Sequence, residues 1–320
     1  MSRLSFILRR LIRAFVTILF AVTVTFLLLR LMPGDPALAI ASPNMTDEAR
    51  ALLLTQYGLD KPLFVQFGLY LGQVFQGNFG TSFTQSRPVL DVLLQRLPWT
   101  LLLTFTALTL TVIVGIPLGV LAASRRGKLL DKIVQVIGVT GQSLFVPSIG
   151  VLLLYVFGLM LGWFPIGGAY STGTYGLDWY ASVATHLVLP AVSLMLIQLG
   201  SYVLTMRATL IDALEEDYVT LAKANGLPKR RILWKHAMRN ALLPTTTLIG
   251  LQLGFLVGGA VLTETVFAYP GIGRGIYEAV TQLDFPVLQG AFLLLAITVV
   301  VANMVTDIIY GFLDPRVKTS

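Results

Sequence analysis

Residues Leu97–Ser124 read LPWTLLLTFTALTLTVIVGIPLGVLAAS, 28 consecutive positions without a charged side chain, bounded by Arg96 and Arg125. A helix that crosses the hydrocarbon of a bilayer needs about 20 predominantly apolar residues, so this stretch points to lipid as its solvent. Five further charge-free runs surround it: Ala14–Leu29, Ile133–Leu177, Trp179–Met206, Asn240–Thr263 and Phe285–Thr306. The first is slightly short, but Arg13 and Arg30 can snorkel their charges out at its ends. Ile133–Leu177 is too long for one span; a helix over roughly Ile133–Leu161 is expected, with Gly162-Trp163-Phe164-Pro165-Ile166-Gly167-Gly168 as its exit loop. The expectation is an all-α membrane protein with about six transmembrane helices. Composition agrees, with 55% hydrophobic and 12% charged residues, where a soluble domain carries about 25% charged.

The cations orient the spans. Of 23 lysines and arginines, 17 fall on the side of the two termini, in the stretches around Arg3–Arg13, Arg125–Lys132, Arg207–Arg239 and Arg316–Lys318. By the positive-inside rule both termini are cytoplasmic. The expected segments are a cytoplasmic N-terminus (1–13), a first helix (14–31), an extracytoplasmic segment (32–98), a membrane core (99–312) with a cytoplasmic loop (208–243), and a cytoplasmic tail (313–320). Basic residues, an apolar run and Ala39-Ile40-Ala41 look somewhat like a cleaved leader, but cleavage would leave an odd number of spans. Net charge of +7 follows from the same inside bias and does not call for nucleic acid.

Within 32–98, Thr46 can cap a helix that Gly58 ends, and Pro62 can open a second, amphipathic helix stopping near Gly77-Asn78-Phe79-Gly80. Either these pack on the membrane surface or they form a platform for an external partner.

Catalytic chemistry is missing. The absence of cysteine removes disulfides and thiolate metal sites, and His186 and His236 are too far apart for a metal cluster, so no metal or cofactor is expected in this chain. Gly127-Lys128 lacks the upstream glycine of a phosphate loop. Ser143 and Ser148 share no span with a histidine or paired carboxylate. Glu264 and Asp307 sit near span ends, where water or an arginine is within reach, which favours structural roles. Pro147, between Gly141 and Gly150, marks a kinked helix. Gln142, Ser143, Gln198, Gln252 and Asn303 are polar groups inside spans that either line a pathway or bond helix to helix.

The inner segment between the fourth and fifth spans is far longer than a minimal connector. Leu210, Leu214, Leu221 and Ala224 can share one helical face. Gly226 supplies a break, and Pro228 suits the first turn of another helix. Two short helices bent at Gly226-Leu227-Pro228 are expected against the inner membrane face.

At this pair the sequence resembles a known family. Asp217-Tyr218-Val219, Thr220-Leu221-Ala222-Lys223-Ala224-Asn225-Gly226-Leu227 and His236-Ala237-Met238-Arg239-Asn240-Ala241-Leu242-Leu243-Pro244 resemble the EAA loop of ABC importer permeases of the dipeptide/oligopeptide/nickel type. Met32-Pro33-Gly34-Asp35-Pro36, Tyr57-Gly58-Leu59-Asp60-Lys61-Pro62, Leu262-Thr263-Glu264-Thr265-Val266-Phe267-Ala268-Tyr269-Pro270-Gly271-Ile272-Gly273 and Asp314-Pro315-Arg316 agree. There are departures: Thr220-Leu221-Ala222 stand where the general signature has Glu-Ala-Ala, no arginine precedes Asp284, and Pro147 falls later than usual. The resemblance implies a type I ABC importer permease in a bacterial inner membrane. It implies a second related permease, two cytoplasmic ATPases that bind ATP and Mg, and an external solute-binding protein. It further implies ATPase docking through Asp217, Tyr218, Ala222, Lys223, Ala224, Asn225, Gly226, Leu227, Arg230 and Arg231, and peptides or related solutes such as nickel chelates as cargo. A self-sufficient secondary carrier or channel is the alternative.

Overall fold

The computed structural model describes residues 3–31, 61–255 and 260–313, with side chains placed over 12–27, 61–252 and 260–304. The expected helix between Thr46 and Gly58, the Ala39-Ile40-Ala41 stretch and the tail after Leu313 lie outside the described residues. In chain order the helices are α1 (Arg3–Leu31), α2 (Leu63–Phe75), α3 (Val89–Ser124), α4 (Leu129–Ser143) and α5 (Val146–Leu153), which continues as a π-helical stretch over Leu154–Met160. They are followed by α6 (Gly176–Glu215), α7 (Asp217–Ala224) and α8 (Lys229–Arg231), which passes through a second π-helical stretch (Ile232–Ala237) into α9 (Met238–Phe255). The last three are α10 (Val261–Val266), α11 (Ile272–Thr281) and α12 (Phe285–Leu313). Each expected span thus has a helical counterpart. Among the described residues, α3, α6 and Phe285–Met304 of α12 are long and apolar enough to cross a membrane singly, and α4 with α5 makes a fourth if that bent pair is one span. The apolar part of α1 is shorter, Ile12–Leu27, and α9 carries Pro244 and three threonines.

The third span is not one helix. α4 and α5 meet at a bend of 105°. Pro147 has no amide to offer the carbonyl of Ser143, and its ring crowds that carbonyl; Ser143 is where α4 ends. α3 begins ten residues before the expected core boundary at 99, because Pro88 precedes its first turn and Asp91 suits the positive end of the helix. α6 likewise runs past Met206 to Glu215, so much of the expected 208–243 loop is helix. α2, which Pro62 precedes as expected, is largely apolar with Gln66, Tyr70 and Gln73 as its polar side chains, and it packs on α1 through Phe26 against Phe67 and Tyr70.

α6 is the central post, and glycines set how closely its neighbours approach. A Cβ on Gly119 of α3 would lie 2.7 Å from Met206 Cβ, and one on Gly115 would lie 3.0 Å from Tyr202 Cβ. On the other flank a Cβ on Gly141 of α4 would lie 2.9 Å from Leu196 O, and one on Gly200 would lie 2.1 Å from Gly138 O. In lipid the hydrophobic effect does not drive helices together, so close van der Waals packing at small residues carries the association.

Three carboxylates staple helix ends to one another. Glu264, fully buried, accepts from Thr100 Oγ1 (2.7 Å) and the Arg274 amide (3.0 Å), while Thr100 Oγ1 accepts from the Ile272 amide at 2.8 Å. Complete burial with a hydroxyl and backbone amide as partners fits the structural role expected of Glu264. Arg96 donates to Glu278 at 2.7 Å, and Arg274 donates to the same carboxylate at 2.8 Å. Asp284 accepts from Ser82 Oγ (2.5 Å), Thr84 Oγ1 (2.8 Å) and the amides of Phe83 and Thr84 (both 3.2 Å).

Candidate functional site

α6 ends where Glu216 turns extended (ψ 152°), and Asp217 opens α7, its charge suited to the helix N-terminus. The break resets the helical phase. Val219 and Ala222 therefore turn inward with Ile232, joined by Tyr218 and Leu227 in a small buried cluster. Leu210 is fully buried while Leu221 is 64% exposed, so the single face expected for Leu210, Leu214, Leu221 and Ala224 does not form.

The turn after α7 is fixed by its backbone. Gly226 has φ +74°, a region that costs a side-chain-bearing residue about 1 kcal/mol or more. Its amide donates to Lys223 O (3.0 Å) and the Leu227 amide to Ala222 O (3.2 Å). This is the paired closure of a glycine-terminated helix, with Leu227 packing back on the residue it bonds. Pro228 then precedes α8 in extended conformation, and the Arg231 and Ile232 amides donate to its carbonyl.

The bent pair is held to the membrane helices rather than hinged on them. Tyr218 Oη donates to Ala213 O (3.1 Å) across the Glu216 break. Thr209 Oγ1 donates to Ala241 O (2.9 Å), joining α6 to α9. Met206, Leu210, Ile211 and Ala213 of α6 pack with Val120 and Ala123 of α3 and with Ala237, Met238 and Ala241. These contacts tie the bent pair to α6 and α9.

α4 is tied to the same post. Arg207 donates to both oxygens of Asp131, Nε to Oδ1 at 2.5 Å and Nη2 to Oδ2 at 2.9 Å. The Gly127 amide (2.9 Å) and Gln135 Nε2 (3.1 Å) fill the remaining acceptor sites. Asp131 is 1% exposed. Nearby, Arg126 pairs with Glu215 at the surface. In the sequence Arg207 counts only among the cations that orient the chain; the cue to its pairing with Asp131 is an acid in the first turn of a helix bordered by cations.

Of the residues expected to dock a partner, Asp217, Lys223, Ala224, Asn225, Gly226, Arg230 and Arg231 are exposed, and Tyr218 and Leu227 are half-buried. Ala222 is the exception: at 6% exposure it belongs to the pair's own core, because α7 places it one turn from Val219 on the inward face.

The expected pathway residues remain dispersed. Gln142 lies beside α6, where a Cβ on Gly200 would come 2.8 Å from its Cγ. Ser143 Oγ donates within its own helix to Val139 O. Gln198 Oε1 is buried without a hydrogen-bond partner in the chain, Gln252 is half-buried, and Asn303 is exposed. His186 Nδ1 lies 2.7 Å from Ser182 O one turn back, and no cluster of three or more metal-ligating side chains occurs among the described residues.

Comparison with known proteins gives concordant results along the whole chain. Residues 115–319 match the family described as binding-protein-dependent transport system inner membrane component, and residues 3–104 match its N-terminal membrane component. The glutathione transport system permease protein GsiC of Escherichia coli (strain K12) is 36% identical over 315 residues, covering 98% of this chain and 99% of the relative. The di/tripeptide transport system permease protein DppB of Pseudomonas aeruginosa (strain UCBPP-PA14) is 38% identical over 332 aligned residues, again covering 98% and 99%. Among solved structures, the MetNI methionine ABC transporter in an inward-facing conformation superposes with a TM-score of 0.55 at 19% identity, over 70% of this chain and 97% of that one. The fold is that of a type I ABC importer permease.

Proposed function

The chain belongs to the family of binding-protein-dependent transport system inner membrane components, and we propose that within it this chain forms half of the translocation pathway of an ATP-driven importer. Its cargo is a small peptide or a peptide-like solute such as glutathione, in keeping with the relatives named for those substrates. A second related permease completes the pathway, an external binding protein delivers cargo, and two cytoplasmic ATPases bind and hydrolyse ATP with Mg. The chain contributes no catalysis, and its termini and inner helix pair lie in the cytoplasm. A self-sufficient carrier is not favoured, because the family is defined by dependence on a binding protein.

The observation that carries this reading is the geometry of the inner helix pair. Its exposed tip, Asp217 and Lys223–Gly226, is built on a buried cluster and bonded into α6 and α9. Docking of an ATPase on that tip converts nucleotide-driven closure into rigid-body movement of the two helices. The chain has no cysteine, so Asn225→Cys supplies a unique thiol. In the assembled transporter it is expected to cross-link to an ATPase subunit; correct membrane insertion with a partner complex but no such cross-link would refute the assignment.

A further inference from the structure

The stretch from Lys229 to Arg239 has a second face. Ile232, Ala237 and Met238 are buried against α6 and α7, which turns Arg230, Arg231, Trp234, Lys235 and Arg239 outward, all exposed. Trp234 is 55% exposed. None of these five makes an ion pair among the described residues; Glu215, an acid near the end of α6, is already taken by Arg126.

We propose that this face, carried by Arg230, Arg231, Trp234 and Lys235, seats the phosphate headgroups of anionic phospholipid in the cytoplasmic leaflet. The placement rests on the orientation proposed above. Continuity with α9 sets the depth. Arg239 is the last charge before the apolar part of α9, and at about 1.5 Å per residue Trp234 lies roughly 7 Å further out. The headgroup layer is about 5–8 Å thick on each side of the hydrocarbon, so Trp234 falls at its edge. Indole rings favour that level, and the guanidinium and ammonium groups on either side can reach back to phosphates along their apolar stems. Attraction of a juxtamembrane cation to an anionic leaflet amounts to roughly fivefold per residue, so three or four cations in two helical turns give selective retention. Of the acids that precede this stretch, Glu216 forms the break between α6 and α7 and Asp217 opens α7.

The test uses the intact transporter complex, reconstituted in phosphatidylcholine vesicles with and without phosphatidylglycerol. Lipid retained after extraction is counted by native mass spectrometry. Retention of phosphatidylglycerol over phosphatidylcholine is expected, falling at least about tenfold in the triple variant Trp234→Ala/Lys235→Gln/Arg239→Gln, whose residues lie outside the set expected to dock an ATPase, while the Asn225→Cys cross-link survives. Unchanged lipid retention in the triple variant overturns the proposal. So does loss of the cross-link with lipid retention intact, which would give the cations to the ATPase. Labelling of Lys235→Cys by a membrane-impermeant thiol reagent from the outside would overturn the orientation itself, separating that failure from failure of lipid binding.

Discussion

Replacing Gly200 by alanine tests whether backbone contact between α4 and α6 holds the membrane core together. The new Cβ would lie 2.1 Å from Gly138 O, 2.8 Å from Gln142 Cγ and 3.0 Å from the Gly138 carbonyl carbon. Gln142 can swing away, but a helix backbone cannot. Carbon and carbonyl oxygen settle at about 3.3 Å or more, so α4 must retreat from α6 by roughly 1 Å. Overfilling a packed contact costs about 1–3 kcal/mol, opposed by up to about 1 kcal/mol from the better helix propensity of alanine. The expected net loss is about 1–2 kcal/mol. The retreat also acts on the Arg207–Asp131 bonds, seven residues along α6 and thus about 10 Å from Gly200. Thermal unfolding of the purified complex should show a midpoint lowered by a few degrees, and uptake into proteoliposomes should fall with it. Gly72→Ala in α2 is the control, since a Cβ there meets nothing within 4 Å; it should be neutral or slightly stabilising. The reasoning is refuted if Gly200→Ala melts and transports like the parent, or if Gly72→Ala is equally harmful.

Two further variants probe the long-range staples. Asp131→Ala leaves the Arg207 guanidinium partly buried and unpaired, which should destabilise by about 3–5 kcal/mol; the double variant with Arg207→Ala should be less damaging than the sum of the singles, and strict additivity in thermal unfolding would show that the pair is not coupled. Asp284→Ala removes the acceptor of two hydroxyls and two amides. Its expected cost is about 2 kcal/mol, read as faster amide hydrogen exchange over residues 82–84, and unchanged exchange there would contradict the staple.

Much of the fold follows from local features of the chain. Charge-free length identifies helical spans because lipid forces every backbone group to be satisfied within its own helix. The cations sort the connecting segments into two sides. Gly226 and Pro228 mark the bent tip, and Pro147 the broken third span, because each acts through its own backbone within a turn. These features placed the inner helix pair and its turn on the sequence alone.

What hydropathy cannot distinguish is a lipid-facing side of a helix from a packed one, since both are apolar. The inward turn of Ala222 and outward turn of Leu221 depended on the phase reset at Glu216, and the extra lengths of α3 and α6 on caps and charges outside their apolar cores. Arg207 and Asp131 are 76 residues apart, Thr100 and Glu264 are 164 apart, and Ser82 and Asp284 are 202 apart. No local pattern specifies such pairs. They exist because glycine seams bring particular helix faces within reach, and a buried charge or hydroxyl then has only the partner that the tertiary packing delivers.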